Sequence, residues 1–319
     1  MPKVSVVVAA HNRPNYLKEA LNSLRQQTAS PDDFEVVVVK DYELDLSKID
    51  TGKINVSIID TKSTELVTKH IIGIKASKGD FVALMDDDDL FAAIKIERIL
   101  GLSQYMSRRT LYINGKEFFT SSLTNFSRLS KANSASFEVF ERVRFNTWGL
   151  IKQVPWYNLS SMTIGKDLAL EGIEIIKGFT REIDPLWYII ALDRADKIVY
   201  DASHLTFYRR HSGGVSRSGN KDKTCRYAAQ AVESYDKMLK IFRSVITVET
   251  ANAIQAEWYV KARSLGCSVN QSTFGNAFLA FFRSFRFHSI KNITKLFLLL
   301  FLSSISVRLS SRLYPKFFL

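Results

Sequence analysis

Short apolar runs alternate with amphipathic stretches along the first hundred residues. Four runs, 4–10, 34–39, 54–59 and 81–85, are apolar at most positions and rich in valine and isoleucine. A stretch with helical spacing follows Pro14 and places Leu17, Leu21 and Leu24 on one face, and further helical stretches are expected around 64–77 and 91–107. Strands that are apolar on both faces and alternate with helices predict an α/β fold with a mostly parallel sheet, covered by helices on both sides.

The residues directly after the apolar runs are candidates for ligand binding, because ligands of such sheets collect at the carboxyl ends of the strands. These positions hold residues 11–13 (His-Asn-Arg), 40–41 (Lys-Asp) and 86–89, which are four consecutive aspartates. Asn12 also predicts an N-cap for a helix with Pro14 in its first turn.

The four aspartates follow a buried strand in the segment FVALMDDDDLF. Clustered carboxylates repel one another, and a divalent cation such as Mg²⁺ or Mn²⁺ prefers oxygen ligands, so this cluster predicts a metal site shared with a nucleotide diphosphate. The alternative is a solvated acidic loop that caps the next helix. The cluster alone is compatible with both interpretations.

Four segments in order give a more specific indication. VSVVVAAHNRPNYLKEALNSLRQQT, FEVVVVKD, the pair Gly73 and Gly79 before Asp80, and FVALMDDDD resemble the nucleotide-binding half of the family 2 glycosyltransferases, which have the GT-A fold. The resemblance implies that Asp86 and Asp88 hold the metal. It also implies that the nucleotide-sugar donor is bound by Ala10, His11, Asn12, Arg13, Asp41, His70, Asp86, Asp87 and His211.

The second half of the resemblance lies at 180–192 (TREIDPLWYIIAL) and 207–216 (FYRRHSGGVS). It implies that Glu182 or Asp184 is the base that takes the proton of the acceptor hydroxyl, that His211 approaches the metal or the diphosphate, and that transfer inverts the anomeric centre. The alternative for Glu182 and Asp184 is a surface helix start with Pro185 in its first turn. Trp148, or the neighbouring aromatics 156–157, either stack on a sugar or belong to the core.

Three departures from the family pattern concern the same regions. Lys40 stands where an aspartate is usual, Ile183 stands where the second acid of the base motif is usual, and 69–71 reads Lys-His-Ile instead of Ala-Arg-Asn. His70 offers a cation to phosphate only if it is protonated. These departures leave open an alternative function, a catalytically silent member of the same fold that acts as a binding or scaffold subunit.

The domain organisation follows from the same patterns. We expect a GT-A domain over 1–217, with a nucleotide-sugar half at 1–109 and an acceptor half at 110–217, and a helical region over 218–319. A stripe from Ala228 to Phe242 predicts one helix from about 222, and a further helix is expected at 248–264.

The last part of the chain is basic and apolar. Residues 271–319 contain seven Lys and Arg and no acid, against a net charge of +12 for the whole chain. FGNAFLAFFRSFRF at 274–287 is rich in phenylalanine, and LFLLLFLSSISV at 296–307 is too short to span a bilayer. Together with the basic residues they favour an in-plane, interfacial helix or a re-entrant anchor at an anionic membrane surface. The alternative is a packed core or a dimer contact. Motifs typical of nucleic-acid binding are missing from the sequence, so we expect no nucleic-acid partner.

The cysteine content and the start of the chain bear on location. Cys225 and Cys267 lack zinc spacing and predict no thiol chemistry, which fits a reducing compartment, and the first residues predict a strand rather than a signal peptide. We therefore expect a cytoplasmic enzyme, bound peripherally to the inner face of the cell membrane. Its expected reaction moves a sugar to a hydroxyl of a glycan acceptor, lipid-linked, in surface polysaccharide or lipid-linked oligosaccharide synthesis.

Overall fold

The computed structural model describes residues 3–44, 50–120, 136–142, 158–210 and 221–267. The chain forms two compact units. The first contains 1–145 and 153–210, and the second contains 146–152 and 211–319.

The first unit is an α/β structure built on one sheet of nine strands. Its strands are β1 (Val4–Ala10), β2 (Phe34–Lys40), β3 (Asn55–Asp60), β4 (Phe81–Asp86), β5 (Leu90–Phe91), β6 (Thr110–Phe119), β7 (Phe137–Glu141), β8 (Met162–Gly165) and β9 (Lys197–Arg209). Its α-helices are α1 (Pro14–Arg25), α2 (Leu66–Ala76), α3 (Lys95–Leu102), α4 (Lys166–Ile176) and α5 (Ile183–Arg194). Short 3-10 turns lie at Ser103–Tyr105 and Leu159–Ser161.

The strand order is β3-β2-β1-β4-β8-β6-β9-β5, and β7 pairs with β9. β1 lies parallel to β2 and β4, and β2 lies parallel to β3, as the sequence predicts. The register sets Ala9 of β1 beside Asp86 of β4, so the residues after both strands meet at one edge. Beyond β4 the sheet is mixed, because β8 runs antiparallel to β4 and β6 whereas β6 and β9 are parallel.

Burial follows position in the sheet. β1 and β2 are buried at every residue, as expected for central strands covered on both faces. β3 alternates between exposed and partly buried residues. The expectation that this strand is covered on both faces is wrong. β3 lies at the edge of the sheet, and only one of its faces is covered.

Close packing of a helix on the sheet and of one helix on another requires glycine at two positions. A Cβ atom on Gly73 of α2 would lie 2.3 Å from Cγ1 of Val7, and a Cβ atom on Gly172 of α4 would lie 2.2 Å from Cζ3 of Trp187 in α5. Both distances are shorter than van der Waals contact permits. The backbones therefore approach closely where these glycines lie.

The N-terminus of α1 differs from the sequence prediction. Arg13, not Asn12, is the N-cap, and its side chain makes no capping hydrogen bond. Asn12 has a φ of 48°, in the left-handed region. Pro14 does lie in the first turn of the helix, as predicted.

In the second unit, the described residues form α6 (Lys221–Ile241) and α7 (Val245–Ser264). The predicted stripe of α6 is buried at most positions, Tyr235 and Phe242 included. Cys225 and Cys267 form a disulfide with their Cα atoms 5.3 Å apart, so the expectation of no thiol chemistry is wrong for these residues, and they give no support to a reducing compartment. Sequence spacing gave no sign of this pairing, because the two residues are 42 positions apart.

Among the helices of the described residues, none is long and apolar enough to cross a bilayer. The basic and aromatic segments of 271–319 lie outside the described residues.

Candidate functional site

The four aspartates form a turn at the end of β4. The backbone N–H of Asp89 donates to the carbonyl oxygen of Asp86, over 3.3 Å. One carboxylate oxygen from each of Asp86, Asp88 and Asp89 lies within 4.8 Å of the other two. The carboxylate of Asp89 is buried, and it accepts from Asn158 Nδ2 at 3.0 Å and from the backbone N–H of Arg209 at 2.9 Å.

The protonation of this acidic turn reflects burial and mutual repulsion. Burial, followed by the charges of Asp89, Asp184 and Asp88, raises the pKa of Asp86 well above its usual range. Burial raises the pKa of Asp87 to about 6 and that of Asp89 to about 7. Three carboxylates close together are the oxygen donors that a hard divalent cation prefers, and such a cation would offset their repulsion. The residues present therefore fit Mg²⁺ or Mn²⁺.

Arg13 and His11 face the acidic turn from the end of β1. Arg13 pairs with Asp88 and, over 2.5 Å, with Asp87. The backbone N–H of His11 donates to Asp87 Oδ2 at 2.8 Å. Ala10 is buried at the last position of β1, beside Lys40. The structure thus brings the predicted residues His11 and Arg13 to the acidic turn.

Asp41, at the end of β2, is the centre of a polar cluster. Its Oδ2 atom lies 3.0 Å from Nζ of Lys69 and 2.5 Å from Nδ1 of His11. Its Oδ1 atom and the hydroxyl of Tyr42 are buried and have no hydrogen-bond partner. Burial, with the charges of Asp87 and Asp41, raises the pKa of Tyr42 to about 12. Unpartnered buried polar atoms are costly, so this cluster is suited to a polar ligand.

His70 does not supply the cation considered for it. Its side chain is fully buried in α2, and neither ring nitrogen has a hydrogen-bond partner. Burial, with the charge of the neighbouring Lys69, lowers the pKa of His70 to about 4, so the ring is neutral at pH 7. The residue of α2 that brings a positive charge to Asp41 is Lys69, which was not among the predicted site residues.

The two candidate bases lie at the start of α5. Glu182 is the N-cap of this helix, with a φ of 60°, and it is only 7% exposed. Burial, followed by the charge of Glu182, raises the pKa of Asp184 to about 6, and Asp184 accepts the backbone N–H of Leu159. The charge of Asp184 in turn raises the pKa of Asp86, so the candidate base lies near the acidic turn. A helix start is present, but it is not the surface feature of the alternative interpretation.

Backbone strain also marks this edge of the sheet. Among the described residues, the non-glycine residues with positive φ are Asn12 and Glu182. Each costs conformational energy, and such residues concentrate at functional sites. Both lie in segments that the sequence analysis selected for ligand binding or catalysis.

Lys95 is a buried lysine that is linked to the acidic turn through Ser160, and the sequence pattern did not indicate this role. Lys95 donates from Nζ to the carbonyl oxygen of Ser160 at 2.5 Å and to Thr206 Oγ1 at 3.0 Å. The Ser160 hydroxyl accepts the backbone N–H of Asp86 at 3.0 Å. Lys95 stands in an apolar helical stretch, AAIKIERIL, where a lysine is expected to point into solvent.

Arg209 of β9 contacts the backbone of the acidic turn. Its Nε atom donates to the carbonyl oxygen of Asp88 at 2.7 Å, and a terminal nitrogen lies 2.6 Å from the Glu19 carboxylate. Its guanidinium lies 4.4 Å from the ring centroids of both Tyr16 and Phe119. Arg209 therefore fixes the path of the turn, a role that its sequence neighbourhood does not reveal.

Four residues of the sequence analysis lie outside the described residues. They are His211, Trp148, Trp156 and Tyr157.

Comparison with known proteins finds similarity to glycosyltransferases. The model of glycosyl transferase family 2 matches residues 5–125. An uncharacterised glycosyltransferase of Haemophilus influenzae is 31% identical over 99 residues, which are 30% of this chain and 33% of that protein. The poly(ribitol-phosphate) β-N-acetylglucosaminyltransferase TarS of Staphylococcus aureus is 37% identical over 95 residues, 28% of this chain and 17% of TarS. The chain thus spans a third or less of these relatives.

Solved structures extend the likeness of the fold beyond the matched segment. The TarS fragment 1-349 of S. aureus in complex with UDP-GlcNAc has a TM-score of 0.63 at 15% identity, over 98% of this chain and 92% of that one. The mannosyltransferase PcManGT of Pyrobaculum calidifontis, in complex with GDP-Man and Mn²⁺, has a TM-score of 0.54 at 14% identity, over 95% and 86%. Residues 5–125 therefore resemble the family 2 glycosyltransferases in sequence, and the mixed α/β architecture is a GT-A-like fold.

Proposed function

We propose that this protein transfers a sugar from a nucleoside-diphosphate donor to a hydroxyl group of a glycan acceptor. The observation that carries the proposal is the meeting of the acidic turn with Asp184 at one edge of the sheet. A site for the donor diphosphate and a base for the acceptor hydroxyl are the two parts that sugar transfer requires.

The donor site extends from the acidic turn to the ends of β1 and β2. Asp86 and Asp88 would hold Mg²⁺ or Mn²⁺ together with Asp89, whose oxygen belongs to the same group of three. A bound divalent ion supplies neutralisation of the negative charge that develops on the diphosphate leaving group. The unpartnered oxygens of Asp41 and Tyr42 would receive donors from the nucleotide. The UDP-GlcNAc and GDP-Man complexes of the structural neighbours support a sugar nucleotide as donor.

Asp184 is our choice for the base, and Glu182 beside it tunes it. Burial and the charge of Glu182 raise the pKa of Asp184 to about 6, which is close to the working pH, where a general base accepts a proton effectively. Proton removal would activate the acceptor hydroxyl for direct attack on the anomeric carbon. One such displacement inverts the anomeric centre.

The acceptor and the location of the enzyme complete the proposal. TarS is named for transfer to poly(ribitol-phosphate), which supports a polymeric acceptor. We propose a surface polysaccharide or a lipid-linked glycan as the acceptor class. The basic, acid-free segment 271–319 supports peripheral attachment to an anionic membrane face. We propose this location together with the function.

The first test is calorimetric titration of the protein with UDP-, GDP-, CMP- and dTDP-sugars, with and without Mn²⁺. Asp88→Asn keeps the size of the side chain and removes one charge from the turn. Asp50→Asn is the matched control, because Asp50 is an exposed acid that pairs with Arg25. We expect metal-dependent binding of one nucleotide class that Asp88→Asn weakens at least about tenfold and Asp50→Asn leaves unchanged. If Asp88→Asn bound the nucleotide as tightly as Asp50→Asn, the acidic turn would not be part of the donor site.

The second test separates catalysis from binding. Asp184→Asn should abolish sugar transfer and donor hydrolysis while donor affinity stays within about threefold of the wild type, because the base acts on the acceptor. Wild-type protein that binds the donor but shows neither reaction would favour a catalytically silent binding subunit.

A further inference from the structure

Two cations and two aromatic rings form a cluster at the carboxyl ends of β6 and β9. Phe118 and Tyr208 are direct neighbours in the parallel register, and their rings meet edge to face with centroids 5.7 Å apart. Nζ of Lys116 lies 5.9 Å from the Phe118 centroid and 5.5 Å from that of Tyr208. The guanidinium of Arg210 lies 3.7 Å from the Phe118 centroid. We call Lys116, Phe118, Tyr208 and Arg210 the cation–aromatic patch.

The patch has properties of a binding surface rather than of a core. Phe118 is 46% exposed, so its ring is accessible to a ligand. Nε of Arg210 is buried and has no hydrogen-bond partner. A guanidinium is always charged, and a buried N–H group without an acceptor is costly, so Arg210 favours a ligand that brings negative charge to this cluster.

The patch borders the candidate base. The charge of Lys116 acts on Asp184 and favours its ionised form. Burial, with the charges of Asp89, Asp86 and Asp184, raises the pKa of Tyr208. A ligand on the patch would therefore lie on the Asp184 side of the acidic turn, where an acceptor hydroxyl has to arrive.

We propose that the cation–aromatic patch is an acceptor subsite for an anionic glycan, one whose sugar units carry phosphate or carboxylate groups. The rings pack against the apolar faces of sugar rings, and the guanidinium and the ammonium bind the acidic substituents. The inference rests on the proposed function, because it gives that function the chemical class of its acceptor.

The test is direct binding of four probes to the full chain, without donor or metal. The probes are hexagalacturonate, phosphorylated mannohexaose, neutral maltohexaose and inorganic polyphosphate. We expect one or both anionic oligosaccharides to bind about tenfold more tightly than maltohexaose, and the tighter of the two identifies the acidic group. Equal binding of maltohexaose, or equally tight binding of polyphosphate, would overturn the proposal, because the patch would then recognise sugar or charge alone.

Two variants and a control localise the binding. Phe118→Ala and Arg210→Gln should each weaken the anionic oligosaccharide at least about fivefold, and Arg210→Gln should also reduce the dependence of affinity on salt. Tyr105→Ala is the matched control, because Tyr105 is 41% exposed and stacks on Phe137 elsewhere on the unit. Wild-type affinity in both patch variants would overturn the proposal. Since no donor is present, failure of nucleotide-sugar binding would not affect this result.

Discussion

Replacement of Arg209 by methionine should destabilise the first unit and loosen the acidic turn. The Arg209 side chain is 2% exposed, and it joins Glu19 of α1 to the carbonyl oxygen of Asp88. Methionine retains most of the packing volume against Tyr16 and Phe119 while it removes the charge and the hydrogen bonds. The perturbation therefore tests the polar role of Arg209 and not the filling of space.

The expected magnitude follows from the partners that are left behind. Loss of one member of a buried ion pair costs about 3–5 kcal/mol, because the other charge stays buried and unpaired. The Glu19 side chain is 23% exposed, so water can partly solvate it, and we expect about 3 kcal/mol. For a unit of this size that corresponds to a fall in Tm of roughly 6–12 °C.

The assay is a double-mutant cycle measured by urea unfolding. Glu19→Gln in the Arg209→Met background removes the stranded charge, so the double variant should be more stable than the sum of the single effects by at least about 1 kcal/mol. Mn²⁺ affinity of Arg209→Met should fall about tenfold or more, because the path of the turn is no longer fixed. A loss of stability below about 1 kcal/mol for Arg209→Met, or strict additivity in the cycle, would refute the reasoning.

Three further predictions concern stability. Reduction of the disulfide between Cys225 and Cys267 should destabilise the second unit by about 4 kcal/mol, from the 42-residue separation, and thermal unfolding with and without dithiothreitol measures it; equal melting curves would contradict it. The pKa of His70 in the folded protein, about 4, lies below its value in the unfolded chain, so the unfolded chain binds more protons between these two values. The free energy of unfolding should therefore fall by up to roughly 3 kcal/mol as the pH is lowered from 6.5 to 4. His70→Leu should flatten this pH dependence of unfolding. Gly172→Ala should cost about 1–3 kcal/mol in urea unfolding, because its Cβ meets the tryptophan ring of α5, whereas Gly101→Ala, which meets nothing within 4 Å, should be neutral or stabilising; equal effects would refute the contact.

Hydropathy patterning along the sequence predicted the four parallel strands and the helices between them. β1, β2 and β4 are apolar at almost every residue because both of their faces are covered, so the amino-acid sequence alone identifies these segments as central strands. The same patterning predicted that residues 10–13, Asp41 and the acidic turn lie together, because the carboxyl ends of parallel strands share one edge of the sheet.

Other features depend on partners that are distant in the sequence. The burial of Lys95 and His70, the contacts of Arg209 with α1 and the acidic turn, and the pairing of Cys225 are set by elements tens to hundreds of residues away. A side chain's charge state and orientation follow from what surrounds it, and local periodicity carries no record of those surroundings. The sequence by itself determined which segments form the central strands and which polar residues follow them. Only the tertiary structure decided which polar groups are buried, which are paired and which have shifted pKa values, because burial and pairing exist only once the chain has folded.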